Sequence, residues 1–172
     1  MTSSPPRTPS WEPFRVTLDG NHGDLVRSLS TQEGIGDRLR SAAFAEIQAR
    51  EAFIWAASTY VDADSALREA WLALSVEENK HLNWLLQRMQ ELGLEVGERK
   101  VSDHLWISLT RCTSAEEFTL YMASAEERGR KAGVRFYEAL LTTDPITAKI
   151  FGKIAEEEVA HIALAQKFFV AR

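Results

Sequence analysis

The sequence predicts an all-α fold, a four-helix bundle of two antiparallel hairpins joined by a long crossover. Three observations carry this. Apolar residues recur with a period near 3.6 over four stretches, and strand-like alternation is absent. Turn signals at VDAD (61–64) and TTDP (142–145) divide those stretches into two pairs. The polar residues of the first pair recur in the second at a constant offset of eighty positions, 46 to 126, 78 to 158 and 81 to 161.

Residues 1–32 contain four of the five prolines among scattered Ser, Thr, Gly and Asn, which cannot sustain helical periodicity. They read as an extended or partly disordered arm, with Trp11 and Phe14 available to pack on the domain or on a neighbouring subunit. The domain proper is expected over 33–172. Its first helix starts near Glu33, behind a capping box of Ser30 and Glu33, and aligns Ile35, Leu39, Ala42, Ala43, Phe53, Ala57 and Tyr60. Asp62 or Asp64 then caps a second helix, with Leu67, Trp71, Leu74, Leu82, Leu85 and Met89 on one side, which stops at Gly93.

GLEVGERKVSD (93–103) reads as loop and DHLWISLTRC (103–112) as a short helical turn. This connection is far longer than a hairpin needs and can travel the length of a bundle. Ser114 and Glu117 cap the third helix, which runs to about Leu141. Asp144 caps the fourth, with Pro145 at its first position and Ile150, Ile154, Ile162 and Phe168 along it. Helices of about 25 residues are about 37 Å long at 1.5 Å per residue, which suits such a bundle.

Composition narrows the function. The net charge is −5 with no dense cluster of Lys and Arg, so nucleic acid is not an expected partner. A single cysteine, Cys112, excludes an internal disulfide and a thiolate metal cluster, and suits a reducing, cytoplasmic setting. No run of eighteen apolar residues occurs, and the opening MTSSPPRTPSWEPF has neither a basic start followed by an apolar stretch nor a small-residue cleavage site, so neither membrane insertion nor secretion is expected.

The repeat places chemistry in the centre. Ala45, Glu46, Arg50 and Ala52 align with Ala125, Glu126, Arg130 and Ala132, while Glu77, Glu78 and His81 align with Glu157, Glu158 and His161. The midpoint of Glu46 and Glu78 falls in the VDAD turn and that of Glu126 and Glu158 at TTDP, so each hairpin holds its polar set at one level. Residues i and i+3 share a helix face, so Glu78 with His81, and Glu158 with His161, offer an oxygen and a nitrogen to one small volume. Buried carboxylates must be paired or must coordinate a metal. One Glu from each of two helices, plus Glu-x-x-His from each of the other two, is a ligand set of di-iron and di-manganese bundles. Four carboxylates match two divalent cations in charge; mixed oxygen and nitrogen donors suit iron or manganese, and zinc can also be held.

Other polar residues are ranked by register. Glu126 is preferred over Glu127, which points about 100° away along the helix. Glu77 and Glu157 read as solvated or as supports for the ligands, and Arg50 and Arg130 either brace Glu46 and Glu126 or form surface pairs. Tyr60 and Tyr137 share the inward faces, as core residues or as relays. Trp55, Trp71, Trp84 and Trp106 read as packing, and neither His22 nor His104 is assigned to the metal.

On these residues the chain resembles the ferritin-like superfamily of di-iron carboxylate proteins over about 33–170. Glu126-x-Arg128-Gly129, the Leu92-Gly93 stop and the Trp106 segment resemble an uncharacterised bacterial ferritin-like family, and more distantly the di-iron tRNA hydroxylases and rubrerythrins. The resemblance implies Glu46 and Glu126 as terminal ligands, Glu78 and Glu158 as bridging ligands, and His81 and His161 as nitrogen ligands. It implies two iron ions per chain, with manganese or zinc as alternatives, and an oxidoreductase using O2 or H2O2. The lone cysteine leaves no rubredoxin-like relay, so a separate electron donor is expected. A ferroxidase, an iron-storage or iron-delivery protein and a metal-stabilised structural module remain alternative readings, and a homodimer is a reasonable assembly.

Overall fold

The computed structural model describes residues 6–169, and among them helix dominates. Strand β1 is Arg15–Thr17, followed by helices α1 (Gln32–Thr59) and α2 (Ser65–Glu91); then come β2 (Lys100–Ser102), the short α3 (His104–Thr110), α4 (Ala115–Leu140) and α5 (Pro145–Phe169). The four long helices pair as α1 with α2 and α4 with α5; α2 also meets α5, and α1 meets α4. No helix among the described residues is long and apolar enough to cross a membrane.

Local chemistry sets the ends of these helices. Thr31, not Ser30, caps α1, its Oγ1 accepting from Gly34 N at 3.0 Å. Ser30 instead bonds Ser28, so the cap lies one residue later than the Ser30–Glu33 spacing implies. Of the two candidate aspartates, Asp64 caps α2 by accepting from Ala66 N. The end of α2 is a Schellman motif: Gly93 has φ 68°, its N–H reaches Gln90 O and the Leu94 N–H reaches Met89 O. That left-handed position favours glycine because it has no Cβ to clash. Ser114 caps α4 through Glu117 N, and Glu117 accepts from Thr113 N. Asp144 accepts from Thr147 N behind Pro145.

Two features depart from the sequence expectation. Short strands do exist: β1 pairs in parallel with β2, Arg15 opposite Lys100 and Thr17 opposite Ser102. Three residues are too few for alternation to be visible. The arm also packs on the domain rather than standing free, through the two aromatics that the sequence offered for it. Trp11 and Phe14 are buried, Trp11 edge-on to Phe44 (5.4 Å) and Trp106 (5.7 Å) and Phe14 5.0 Å from Phe44. An aromatic cluster of Phe53, Trp55, Tyr60, Trp71 and Phe118 continues beyond Trp106 toward the α1–α2 turn. Full burial of each large apolar side chain contributes about 1.5–3 kcal/mol, so these aromatics hold the arm on the domain.

A charged network fixes the arm and crossover to α1. Arg27 donates from its backbone N, Nε and Nη2 to Asp37, and from Nη1 to Glu98 Oε1. Arg40, 1 % exposed, donates to Asp37 Oδ1 and to the carbonyls of Glu95 and Val96.

Candidate metal centre

Glu46 on α1, Glu78 and His81 on α2, Glu126 on α4, and Glu158 and His161 on α5 converge between the helices. Glu78, His81, Glu158 and His161 are buried. Two overlapping sets form, Glu46–Glu78–His81–Glu158 and Glu78–Glu126–Glu158–His161, each with one donor atom per residue within 4.8 Å of the others and so able to hold a metal ion. Glu78 and Glu158 belong to both sets.

Helical spacing explains the convergence. His81 follows Glu78, and His161 follows Glu158, by three residues, so each pair shares a face. His81 Nδ1 lies 3.8 Å from Glu46 Oε2, 3.9 Å from Glu78 Oε2 and 3.4 Å from Glu158 Oε1. His161 Nδ1 lies 2.9 Å from Glu78 Oε1 and 3.4 Å from Glu158 Oε2. The two imidazole rings lie 5.7 Å apart, 23° from parallel. Gly133, two turns beyond Glu126, lets α5 approach: a Cβ there would meet Phe151 O at 3.4 Å and Ala155 Cβ at 3.6 Å.

The cluster is poorly satisfied as it stands. Glu78 Oε1, His81 Nδ1, Glu126 Oε1, Glu158 Oε2 and His161 Nδ1 are buried without a hydrogen bond of acceptable geometry. Buried polar atoms are rarely left so, and five in one volume, all oxygen or imidazole nitrogen, fit a metal-ligand set.

Titration reflects the crowding. Burial pushes the Glu46 carboxyl up to about 8. Glu78 and Glu126 are raised well above the usual range, first by burial and then by neighbouring carboxylates. Glu158 is lowered, burial being outweighed by the two histidines. His161 is held at about 11, because Glu158 and Glu78 outweigh its burial, and His81 is raised by Glu158 and Glu157 in the same way. Metal-free, the cluster thus keeps protons that cations would displace.

The supporting residues differ from the sequence expectation in detail. Glu157 is not merely solvated: its Oε2 lies 2.7 Å from His81 Nε2 and 2.9 Å from Lys80 Nζ. Lys80 and His81 keep that carboxylate ionised despite partial burial. An ionised carboxylate can only accept, so His81 Nε2 carries the proton and Nδ1 faces the cluster with its lone pair when the ring is neutral. Glu77 pairs with Lys80. Arg50 bonds Glu51 and Asn79, and Arg130 makes two 2.8 Å bonds to Glu127, so neither braces Glu46 or Glu126. The Arg130 pair also explains why Glu127 stays outside. Tyr137 is exposed rather than inward, and Tyr60 donates to Cys112 O in the aromatic end. His22 is exposed, and His104 lies beside Ser108; neither reaches the cluster. Trp71 and Trp106 are core, while Trp84 is stacked under Lys80 and Lys153.

Comparison with the curated proteins gives no match, and comparison with the solved structures gives none either. A family model described as "Protein of unknown function (DUF455)" matches residues 2–171. With nearly its whole length matched, the chain belongs to the DUF455 family.

Proposed function

We propose that this chain is a ferritin-like di-iron oxidoreductase that uses O2 or H2O2. The supporting observation is the convergence of four carboxylates and two imidazoles from four helices, with five of their buried atoms lacking partners. Glu46 and Glu126 then serve as terminal ligands, Glu78 and Glu158 as the shared pair, and His81 and His161 as nitrogen ligands. Two iron ions in this set would each supply one electron to the oxidant, with a separate donor restoring them. Manganese could occupy the same donors.

The residues of the chain have distinct tasks in this reading. Glu157 orients His81 through Nε2, leaving Nδ1 for the cluster. Lys80, between Glu77 and Glu157, keeps the outer acids paired.

Metal content per chain, with absorption spectra through reduction and reoxidation, tests this. About two iron atoms per chain and a reversible spectral change are expected. Less than one metal after reconstitution, or bound metal with no spectral response, overturns the oxidoreductase reading; the latter result leaves a metal-stabilised structural module.

A further inference from the structure

A cavity of about 340 Å3 opens between α1 and α4 and reaches Glu46, Glu78, Glu126 and Glu158. Its walls are small side chains, including Ala45 and Ala49 on α1 and Ala125 and Gly129 on α4, backed by Phe151 and Ile154. Helices packed with ordinary core side chains fill this space; here an added Cβ at Gly129 would meet nothing within 4 Å. The inner end holds the buried atoms Glu78 Oε1 and Glu158 Oε2, which lie 2.9 and 3.4 Å from His161 Nδ1 without a hydrogen bond of acceptable geometry.

The other end is cationic. Arg38 lies eight residues before Glu46, about 12 Å along the helix at 1.5 Å per residue. Its guanidinium sits 5.8 Å from the Phe136 ring, ten residues after Glu126, so α1 and α4 run antiparallel and both helices reach this end. Arg38 donates to Arg27 O and, among the described residues, forms no ion pair. Arg130 also lines the cavity but is engaged by Glu127. An anion would be repelled by the carboxylates at the inner end and attracted by the unneutralised guanidinium at the outer one.

We propose that this cavity binds an amphipathic small molecule with an apolar body and one carboxylate head. The head meets Arg38, the body lies between the alanine-lined faces of α1 and α4, and the far end reaches the Glu46–Glu126 level. As the substrate class for the oxidoreductase this rests on the di-iron reading, while the binding itself does not.

The test is calorimetric titration of the full chain, metal-free and iron-loaded, with octanoate and with octan-1-ol as the uncharged probe. Metal content is measured on the same samples. Octanoate is expected to bind more tightly than the alcohol. Arg38→Gln weakens octanoate by about tenfold, the loss of one charge-assisted contact, and leaves the alcohol unchanged. Gly129→Leu, which adds bulk where a Cβ meets nothing within 4 Å, weakens both probes, and Ala45→Phe does the same from the opposite wall. Failure of octanoate to bind, or unchanged affinity in both filling variants, overturns the proposal; an unchanged Arg38→Gln variant overturns the placement of the head. Octanoate binding with these responses in a chain that takes no iron would remove the di-iron reading and leave the binding site standing.

Discussion

Two charged clusters lie along the same helix, and they are built on opposite principles. At the start of α1, Asp37 and Arg40 are almost fully buried, and each is matched: Asp37 by both arginines, Arg40 by Asp37 and two carbonyls, and Arg27 by Asp37 and Glu98. About two turns later Glu46 enters a cluster whose acids outnumber its histidines and whose inward atoms lack partners. The first is closed and serves to hold the arm and crossover on the bundle. The second is open: its crowded acids are relieved in the metal-free chain by retained protons, which a bound cation could replace. Burial of charge alone therefore does not mark a functional site; unspent ligand atoms do.

Substitution should separate the two clusters most strongly. Asp37→Ala leaves Arg40 buried without its carboxylate and is expected to cost about 3–5 kcal/mol in denaturant unfolding, with metal content per folded chain unchanged. Glu78→Gln should do the reverse: metal retention is lost, while the stability of the metal-free chain changes little, because burial already keeps the Glu78 carboxyl protonated there and the amide keeps its shape. A large destabilisation of metal-free Glu78→Gln would mean that the cluster is a structural network after all.

Next in size is the support of His81. Glu157→Gln keeps the shape but removes the ionised acceptor, and metal affinity is expected to fall about 10–100-fold, measured by competition with a chelator. Unchanged affinity would show that His81 is oriented by packing alone.

The pH dependence sharpens the comparison because the two clusters have opposite signs. Asp37 is held at about 2 against an ordinary 3.8, Arg27 outweighing its burial. Its contribution is complete above the unfolded value and is lost as pH falls toward 2. Glu46 is raised from 4.5 to about 8 and His161 from 6.5 to about 11, so the folded metal-free chain binds more protons than the unfolded one across those windows. Metal-free protein should therefore lose stability as pH rises from 4.5 through 8 and onward toward 11, and loaded protein should not. Thermal melts with and without metal check this. The smallest effect belongs to Arg130→Ala: its pair with Glu127 is surface-exposed, so melting temperature and metal content should stay unchanged.

Much of the candidate site was legible in the sequence because helical geometry turns spacing into direction. Glu78 with His81, and Glu158 with His161, share a face by spacing alone, and the offset of eighty residues identified Glu46 and Glu126 as their counterparts. Glu127 was set aside by the eighty-residue register, and its bond to Arg130 agrees. Glu157 was not assigned to His81, because that contact joins α2 to α5 across 76 residues and has no periodic signal. Tyr137 was placed inward by its position on the helix face, yet its ring is exposed and packs over Gly152, where an added Cβ would lie 2.8 Å from it. Trp11 and Phe14 were legible as the packing residues of the arm, but their partners were not, because Phe44, Trp106 and the Lys100–Ser102 strand lie far along the chain.

By itself, the sequence determined the four long helices, their caps to within a residue, the two hairpins and the six converging ligand candidates. These follow from local rules, in which backbone hydrogen bonds, caps and a 3.6-residue period act over a few positions. Only the tertiary structure decided that the arm closes against the crossover, that Glu157 backs His81, that the arginines turn away from Glu46 and Glu126, and that α1 and α4 leave a cavity leading to the carboxylates. Those outcomes depend on which surfaces meet and on the volume left between them, and a contact between distant residues has no fixed spacing along the chain from which to read it.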